Sequence, residues 1–284
     1  MEKSWKEVIV MIIESHTQSI TTRIGSVDAP IPLIGIQQDI WKPEDAHPIF
    51  EILEKPNWAP WLAASEDSIK GRSIIFPQGQ LMLKSKEGLP IASLSTNRVE
   101  WNGDMVTLQS WDDYAGDPTT FENTFCTKGN TQILMSMNVH PEYQGLGLAR
   151  ILMDAVKTRA KELGILFLIG SFRPNQFGEF KSINDNWKVD FETYSKMLRP
   201  DGLPIDSWLR NLIRNGMKAL IVDKKAMTVE TSIEEFTKYQ SVYNIGKWKE
   251  VTPNTWECRE VGQWTIKGNT AIYQECNLWG EIPF

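Results

Sequence analysis

The stretch Gln144-Gly145-Leu146-Gly147-Leu148-Ala149 is the one whose residue types and spacing best suit chemistry. Two glycines one residue apart let a ligand approach the backbone closely. An amphipathic pattern follows at once, so the loop runs into a helix N-terminus. Unpaired N–H groups and the positive end of the helix dipole gather there. That combination suits a phosphate or pyrophosphate. Two nucleotide readings fail on the letters. A dinucleotide fingerprint needs a third glycine or alanine where Arg150 stands, and a P-loop needs a Gly-Lys-Ser/Thr that is absent.

Such a loop must be positioned by a strand, a helix and a second strand. Thr131–His140 alternates, with Gln132, Leu134, Ser136 and Asn138 on one face and Ile133, Met135, Met137 and Val139 on the other. From Leu148 to Leu163, the residues Ile151, Leu152, Ala155, Val156 and Ala160 recur at helical spacing, and Gly164 ends the helix. "ILFLIGSF" is a continuous apolar run, as expected of a strand buried on both faces. Strand, helix and strand make a right-handed βαβ unit. Upstream, the pattern predicts a strand over Ile31–Gln37, a helix starting near Pro43, a hairpin turning at Lys86–Gly88 and an irregular polar loop over Ser110–Phe125. Downstream come a long polar segment from Arg173 to about Pro204, a helix in "IDSWLRNLIRNG" and a strand in "MKALIVD". "SIEEFTKYQSVY" reads as a helix, and a Trp-rich meander turns at Val261–Gly262 and Lys267–Asn269. The expected division is 1–225 for the main domain with its N-terminal extension and 226–284 for a helix plus meander.

With 284 residues, 41% of them hydrophobic and 23% charged, the chain reads as globular. A net charge of −6 argues against non-specific nucleic-acid binding, which rests on Lys/Arg contacts to phosphates. No apolar run is long enough to span a bilayer. "VIVMII" near the N-terminus lacks a signal-peptide cleavage pattern and reads as an amphipathic helix or a strand packed on the body. Cys126, Cys258 and Cys276 are far apart and form no CxxC, so no metal site is expected, and a reducing, cytoplasmic setting fits.

Gln144, Gly147 and Ala149 match the Q/R-x-x-G-x-G/A signature of the GNAT acetyltransferase superfamily, and the flanking strand–loop–helix–strand context matches too. The chain resembles that family over much of residues 30–223. The resemblance implies an α/β fold: a central mixed, mostly antiparallel twisted sheet with splayed parallel strands, flanked by helices, here with the Trp-rich β extension. It implies acetyl-CoA as acyl donor. Gln144, Gly145, Leu146, Gly147, Leu148 and Ala149 would hold the pyrophosphate, and Met137, Asn138 and Val139 would pair with the pantetheine arm. Many members carry a Glu on the strand before the loop and a Tyr on the late helix. Here Ser136 and Asn138 stand on that strand, and Leu212, Ile213 and Arg214 on that helix. Ser136, Asp113 and Arg173 are therefore the catalytic candidates, with Asp112, Glu179 and His140 behind them, and Asn175 a further CoA or substrate contact. A weaker resemblance, in "SFRPNQFGEFK" and "DGLPIDSWLRNLIRNGMK", is to the GNAT-like loading domains of polyketide synthases. Three activities stay open: acetyl transfer to a small-molecule amine, acyl transfer or decarboxylation with an acyl carrier protein, and CoA binding without catalysis.

Overall fold

The computed structural model describes residues 10–14, 17–21, 34–183, 188–243 and 248–284. Among them, twelve strands form one sheet: β1 (Val10–Glu14), β2 (Thr17–Thr21), β3 (Ile34–Ile40), β4 (Gln80–Lys84), β5 (Pro90–Val99), β6 (Thr131–Val139), β7 (Phe167–Phe172), β8 (Lys218–Ser232), β9 (Lys249–Thr252), β10 (Thr255–Glu257), β11 (Gln263–Lys267) and β12 (Thr270–Glu281). Their order is β1-β2-β3-β4-β5-β6-β7-β12-β11-β10-β9, with β8 paired to β12. The β6–β7 pair is parallel and the other pairs are antiparallel.

The helices are α1 (Ala46–Ile49) and α2 (Lys55–Asn57), joined by a π turn over Phe50–Glu54, then α3 (Glu66–Ile75), α4 (Trp111–Ala115) and α5 (Leu148–Glu162). They continue with α6 (Phe177–Ile183), α7 (Phe191–Ser195), α8 (Ser207–Arg214) and α9 (Ile233–Val242). In α5 the expected Leu152, Val156 and Ala160 are buried, together with Leu148 and Met153, while Ile151 and Ala155 of the expected stripe are half-buried. Its end is closed by Ile165 N–H donating back to Ala160 O, with Gly164 at φ +65°.

Both sheet faces carry apolar cores. On one, Leu134, Leu168 and Phe172 pack against Leu152 and Val156 of α5 and Leu209 and Leu212 of α8. On the other, Ile133, Met135, Ile169 and Trp279 meet Trp111 and Tyr114 of α4. A third cluster joins Trp61, Phe236, Tyr243, Trp264 and Tyr273, so most of the aromatic wealth of the C-terminal meander serves packing. No helix among the described residues is long and apolar enough to cross a membrane.

Several expectations shift. The polar stretch Ser110–Phe125 contains α4, because Ser110 and Asp113 close a capping box at its N-terminus. The strand expected over Ile31–Gln37 runs Ile34–Ile40, and Ile31 to Leu33 lie outside the described residues. Of "VIVMII", Val8 and Ile9 also lie outside, and Val10–Glu14 is strand. The alternation assigned to β6 breaks at Met135. Leu134 pairs with Thr96 and Ser136 with Ser95, so β6 carries one extra residue, a β-bulge. Beyond it the faces exchange: Met137 and Val139 join Leu134 in the α5-side core, while Asn138 turns to Glu54 and Trp58. The division expected at 225/226 falls inside β8. Residues 270–281 form a central strand, β12, paired with β11 and β7 on one edge and β8 on the other, because its length serves all three neighbours.

Candidate functional site: a loop cradle and a buried polar cavity

The pairing of β6 with β7 runs from Thr131/Phe167 to Leu134/Gly170 and stops there. Past that point the strands part, and a wedge opens between residues 135–139 and 171–173. Val139 O points away from β5, since it accepts from Asn57 Nδ2 at 3.1 Å and Gln144 Nε2 at 3.3 Å. By the two-residue period of a strand, Met137 presents its N–H and C=O to the same open edge. At the head of the wedge, Gly145 and Gly147 take φ of +79° and +84°, and a Cβ at either would meet nothing within 4 Å. Among the described residues, the amides of residues 145–149 have no protein acceptor. The loop is thus a cradle of free donors at the start of α5, with room above it, which fits a pyrophosphate. Gln144 acts as a strut: its Nε2 ties the loop to Asn57 Oδ1 at 2.9 Å and to β6.

A cavity of about 1030 Å³ runs from this cradle through the wedge to the face covered by α3, α4 and the meander. Its walls are rich in buried polar groups. Glu54, at the end of the π turn, accepts from Ala64 N–H at 2.9 Å and from Asn138 Nδ2. Burial raises its carboxyl, against the pull of those two donors and of Arg72. Asn138 Oδ1 accepts from Trp58 Nε1 at 2.7 Å. Opposite, Arg173 Nε donates to both oxygens of Glu275, and its Nη2 pairs with Glu260. Burial works against the Arg173 charge, but Glu275 and Glu260 outweigh it and hold the guanidinium above its usual value. Tyr273 OH donates to Glu275 at 2.6 Å.

Asp112 borders the same cavity from α4 and accepts the Thr228 N–H at 2.7 Å. Burial pushes its carboxyl up to about 6; Thr228 opposes, and Asp113, Asp223 and Glu275 add to the rise. Trp111 Nε1 donates to Met135 O at 2.9 Å, which fixes α4 over the bulge. Two further groups stand out. Asn277 Oδ1 and Ser171 Oγ are buried, border the cavity and have no hydrogen-bond partner. Such groups are costly unless a ligand or water satisfies them.

Residues 38–177 match the family model described as the acetyltransferase (GNAT) family. This segment is a GNAT domain. Its splayed parallel pair, bulged strand and loop-to-helix cradle all lie inside the matched residues. No curated protein matches the chain. Among solved structures, the loading GNATL domain of CurA from Lyngbya majuscula is similar at TM-score 0.60 and 16% identity, over 87% of this chain and 96% of that one. The GphF GNAT-like decarboxylase, solved with isobutyryl-CoA, is similar at TM-score 0.55 and 17% identity, over 67% of this chain and 90% of that one. At these identities the likeness is one of fold.

Of the residues singled out in the sequence of the GNAT domain, Ser136, Met137, Asn138, Val139, Gln144, Gly145, Gly147, Leu148, Ala149, Arg173 and Asn175 border the cavity. Leu146 packs on the α5-side core, and Asp113 faces solvent, where its carboxylate caps Ser110 N–H at 3.0 Å. The adjacent Asp112 is the acid that turns inward. Arg173 is held by two carboxylates, so its contacts position the wall between β7 and β12. His140 accepts the Glu142 N–H at the turn and is no cavity residue; Glu179 pairs with Arg259. Sequence reasoning passed over Glu54, Arg72, Glu275 and Asn277. Glu54 depends on a π turn, which no periodicity announces. Glu275 and Asn277 depend on the central place of β12, which is a long-range property. Among the described residues no cluster of His, Cys, Asp and Glu has the makings of a metal site.

Proposed function

We propose that the chain is an acyl-CoA-dependent acyltransferase that moves an acyl group, acetyl in the simplest case, directly to an amine. The free amides of the 145–149 cradle would hold the CoA pyrophosphate, and the edge of β6, at Met137 and at the Val139 N–H, would pair with the pantetheine arm as an added strand. The thioester then lies in the wedge beside Ser136 and Asn138. The observation that carries the choice of an amine is the pair of unsatisfied oxygens Asn277 Oδ1 and Ser171 Oγ, which line the same cavity as Asp112. An amine brings N–H donors that these oxygens can accept, whereas a thiol is a weak donor. Asp112, raised to about 6, is ionised at neutral pH yet close enough to it to take a proton. Attack forms the C–N bond, the C–S bond breaks, the amine proton passes to Asp112 and the thiolate leaves. An N–H of β6 near Val139 would stabilise the developing oxyanion.

A second reading is acyl transfer or decarboxylation with an acyl carrier protein. The likeness in fold to a loading domain across 87% of the chain favours it. No histidine borders the cavity among the described residues, which counts against decarboxylation by a histidine in the wedge.

One experiment separates them. The protein is incubated with acetyl-CoA and a panel of primary amines, and with malonyl-CoA and a phosphopantetheinylated carrier protein. Thiol release with an N-acylated product supports the first reading. Carbon dioxide release or acyl mass on the carrier, with no amine product, overturns it.

A further inference from the structure

Arg72 lies on α3 and is only 2% exposed, yet it is scarcely paired. Its Nε donates to Thr119 O at 2.9 Å, and its guanidinium carbon lies 5.0 Å from the centre of the Phe121 ring. Among the described residues its two terminal nitrogens have no acceptor, and no carboxylate lies within ion-pair distance. Glu54 acts on it at longer range, but both Glu54 oxygens already take donors from Ala64 and Asn138. Burial lowers the guanidinium to about 10. A buried charge without a close partner is expensive, and a guanidinium fork matches a carboxylate in two parallel hydrogen bonds.

The surroundings fit that ligand. Ser68 and Arg72 lie one turn apart on one face of α3, and Ser65 is the N-cap of that helix. Ser68 Oγ lies 2.9 Å from Ser65 Oγ and 2.7 Å from Thr119 Oγ1, so a chain of hydroxyls runs beside the guanidinium. All four side chains border the cavity, on the face opposite the α5-side core.

Resting on the acyl-transfer reading, we infer that Arg72, with Ser68 and Thr119, seats a substrate carboxylate. That carboxylate comes either from the acceptor, as in an amino acid, or from the acyl group, as in a dicarboxylic acyl-CoA.

Two kinetic arms tell these sources apart in the wild type, Arg72→Met and Arg72→Lys. The acceptor arm compares amino acids with their amides, using acetyl-CoA. The donor arm compares succinyl-CoA with acetyl-CoA, using one amine. Thermal unfolding with added succinate is followed in parallel, because it needs no turnover. The expected result is a preference of about tenfold or more for the carboxylate-bearing substrate in one arm, removed by Arg72→Met and partly kept by Arg72→Lys. Succinate raises the Tm of the wild type and not that of Arg72→Met. A preference that survives in Arg72→Met overturns the inference, as does the absence of both preference and Tm shift in the wild type. If Arg72→Met does not fold, Ser68→Ala and Thr119→Val keep the guanidinium and remove the hydroxyls. A preference unchanged in both overturns the inference, and a reduced one supports it. If acetyl-CoA fails to bind in calorimetry, the acyl-transfer reading falls, and the succinate shift still decides the role of Arg72.

Discussion

Asp112 and Asp113 are neighbours with opposite fates, and the difference is testable. Asp113 sits three residues after Ser110 and completes a capping box in solvent, while Asp112 faces β8 and the cavity. Replacing Asp112 with Asn keeps an oxygen for the Thr228 N–H and removes the base. Acyl transfer to the amine is expected to fall about 100-fold near pH 8, and the limb of kcat/KM that rises through about pH 6 is expected to vanish. A profile that keeps this limb in D112N would remove Asp112 from the chemistry. Stability supplies a second reading of the same group. Its folded pKa lies above the unfolded value, so its contribution is fully present below about pH 4 and is lost as the pH rises through about 6. D112N is therefore expected to be more stable than the wild type at pH 8, by about 1 kcal/mol after allowing for partial exposure, with the gain fading toward pH 4. The cradle glycines were legible in the sequence because their role is carried by backbone shape. The Ser110-x-x-Asp113 spacing was equally legible as a cap, and it would have turned attention to Asp112. Gly147→Trp tests the cradle itself. Its Cβ meets nothing within 4 Å, so the fold accepts the ring at the cost of a positive φ, but the ring fills the donor cradle. Calorimetry is expected to show CoA affinity lowered by about 100-fold or more, equivalent to about 3 kcal/mol, and unchanged binding by the folded variant would refute the assignment.

At the scale of elements, the wedge depends on how β7 leads into α6 and how α6 docks on the loop between β10 and β11. A Cβ on Gly178 would lie 2.0 Å from Arg259 O and 2.3 Å from Arg259 C, which are backbone atoms with no side-chain freedom. On the same helix Lys181 is buried against Glu257 and donates to Val261 O at 3.2 Å. Gly178→Ala must therefore part α6 from this loop, which also carries Glu260, the partner of Arg173. The expected loss is about 1–3 kcal/mol, read as a lower denaturant midpoint with little change in m. Acyl transfer should weaken as well, because Arg173 loses part of its anchoring. A midpoint equal to the wild type would mean that this contact does not hold α6. Periodicity found α5, α8 and the β4–β5 hairpin because each needs only a local pattern. It missed the face exchange in β6, because the extra residue at Met135 is defined by the register of β5, whose flanking partners Thr96 and Ser95 lie 38 and 41 positions from Leu134 and Ser136. The same reason hid the π turn that aims Glu54 inward.

For the whole molecule, the position of β12 governs whether the fold exists at all. Helix and strand could be read in "SIEEFTKYQSVY" and the meander, but strand order is a matter of which distant segments meet, and local patterning is silent on that. The expected division at 225/226 sets the last sixty or so residues apart as an extension, whereas β8 runs across that point in the sheet. β12 gives Glu275 and Asn277 to the cavity and pairs with β7, β8 and β11. It also buries Tyr273 and Trp279, at 0% and 1% exposure, and β11 buries Trp264 at 0%. Losing one such aromatic from a core costs about 3–5 kcal/mol, so losing three removes on the order of 10 kcal/mol, the size of a typical domain's entire stability. It would also leave β7 and β8 with open edges facing one another. A fragment ending at Trp248 keeps β8 and α9 and loses β9–β12, and it is expected to show no cooperative thermal transition by far-UV circular dichroism and no binding of CoA. A dispensable extension would instead leave a sharp transition within a few degrees of the full chain and an intact cradle. The two outcomes differ because the sheet is continuous across that division: the strand that lines the acceptor side of the cavity is the same strand that holds β7 against β8.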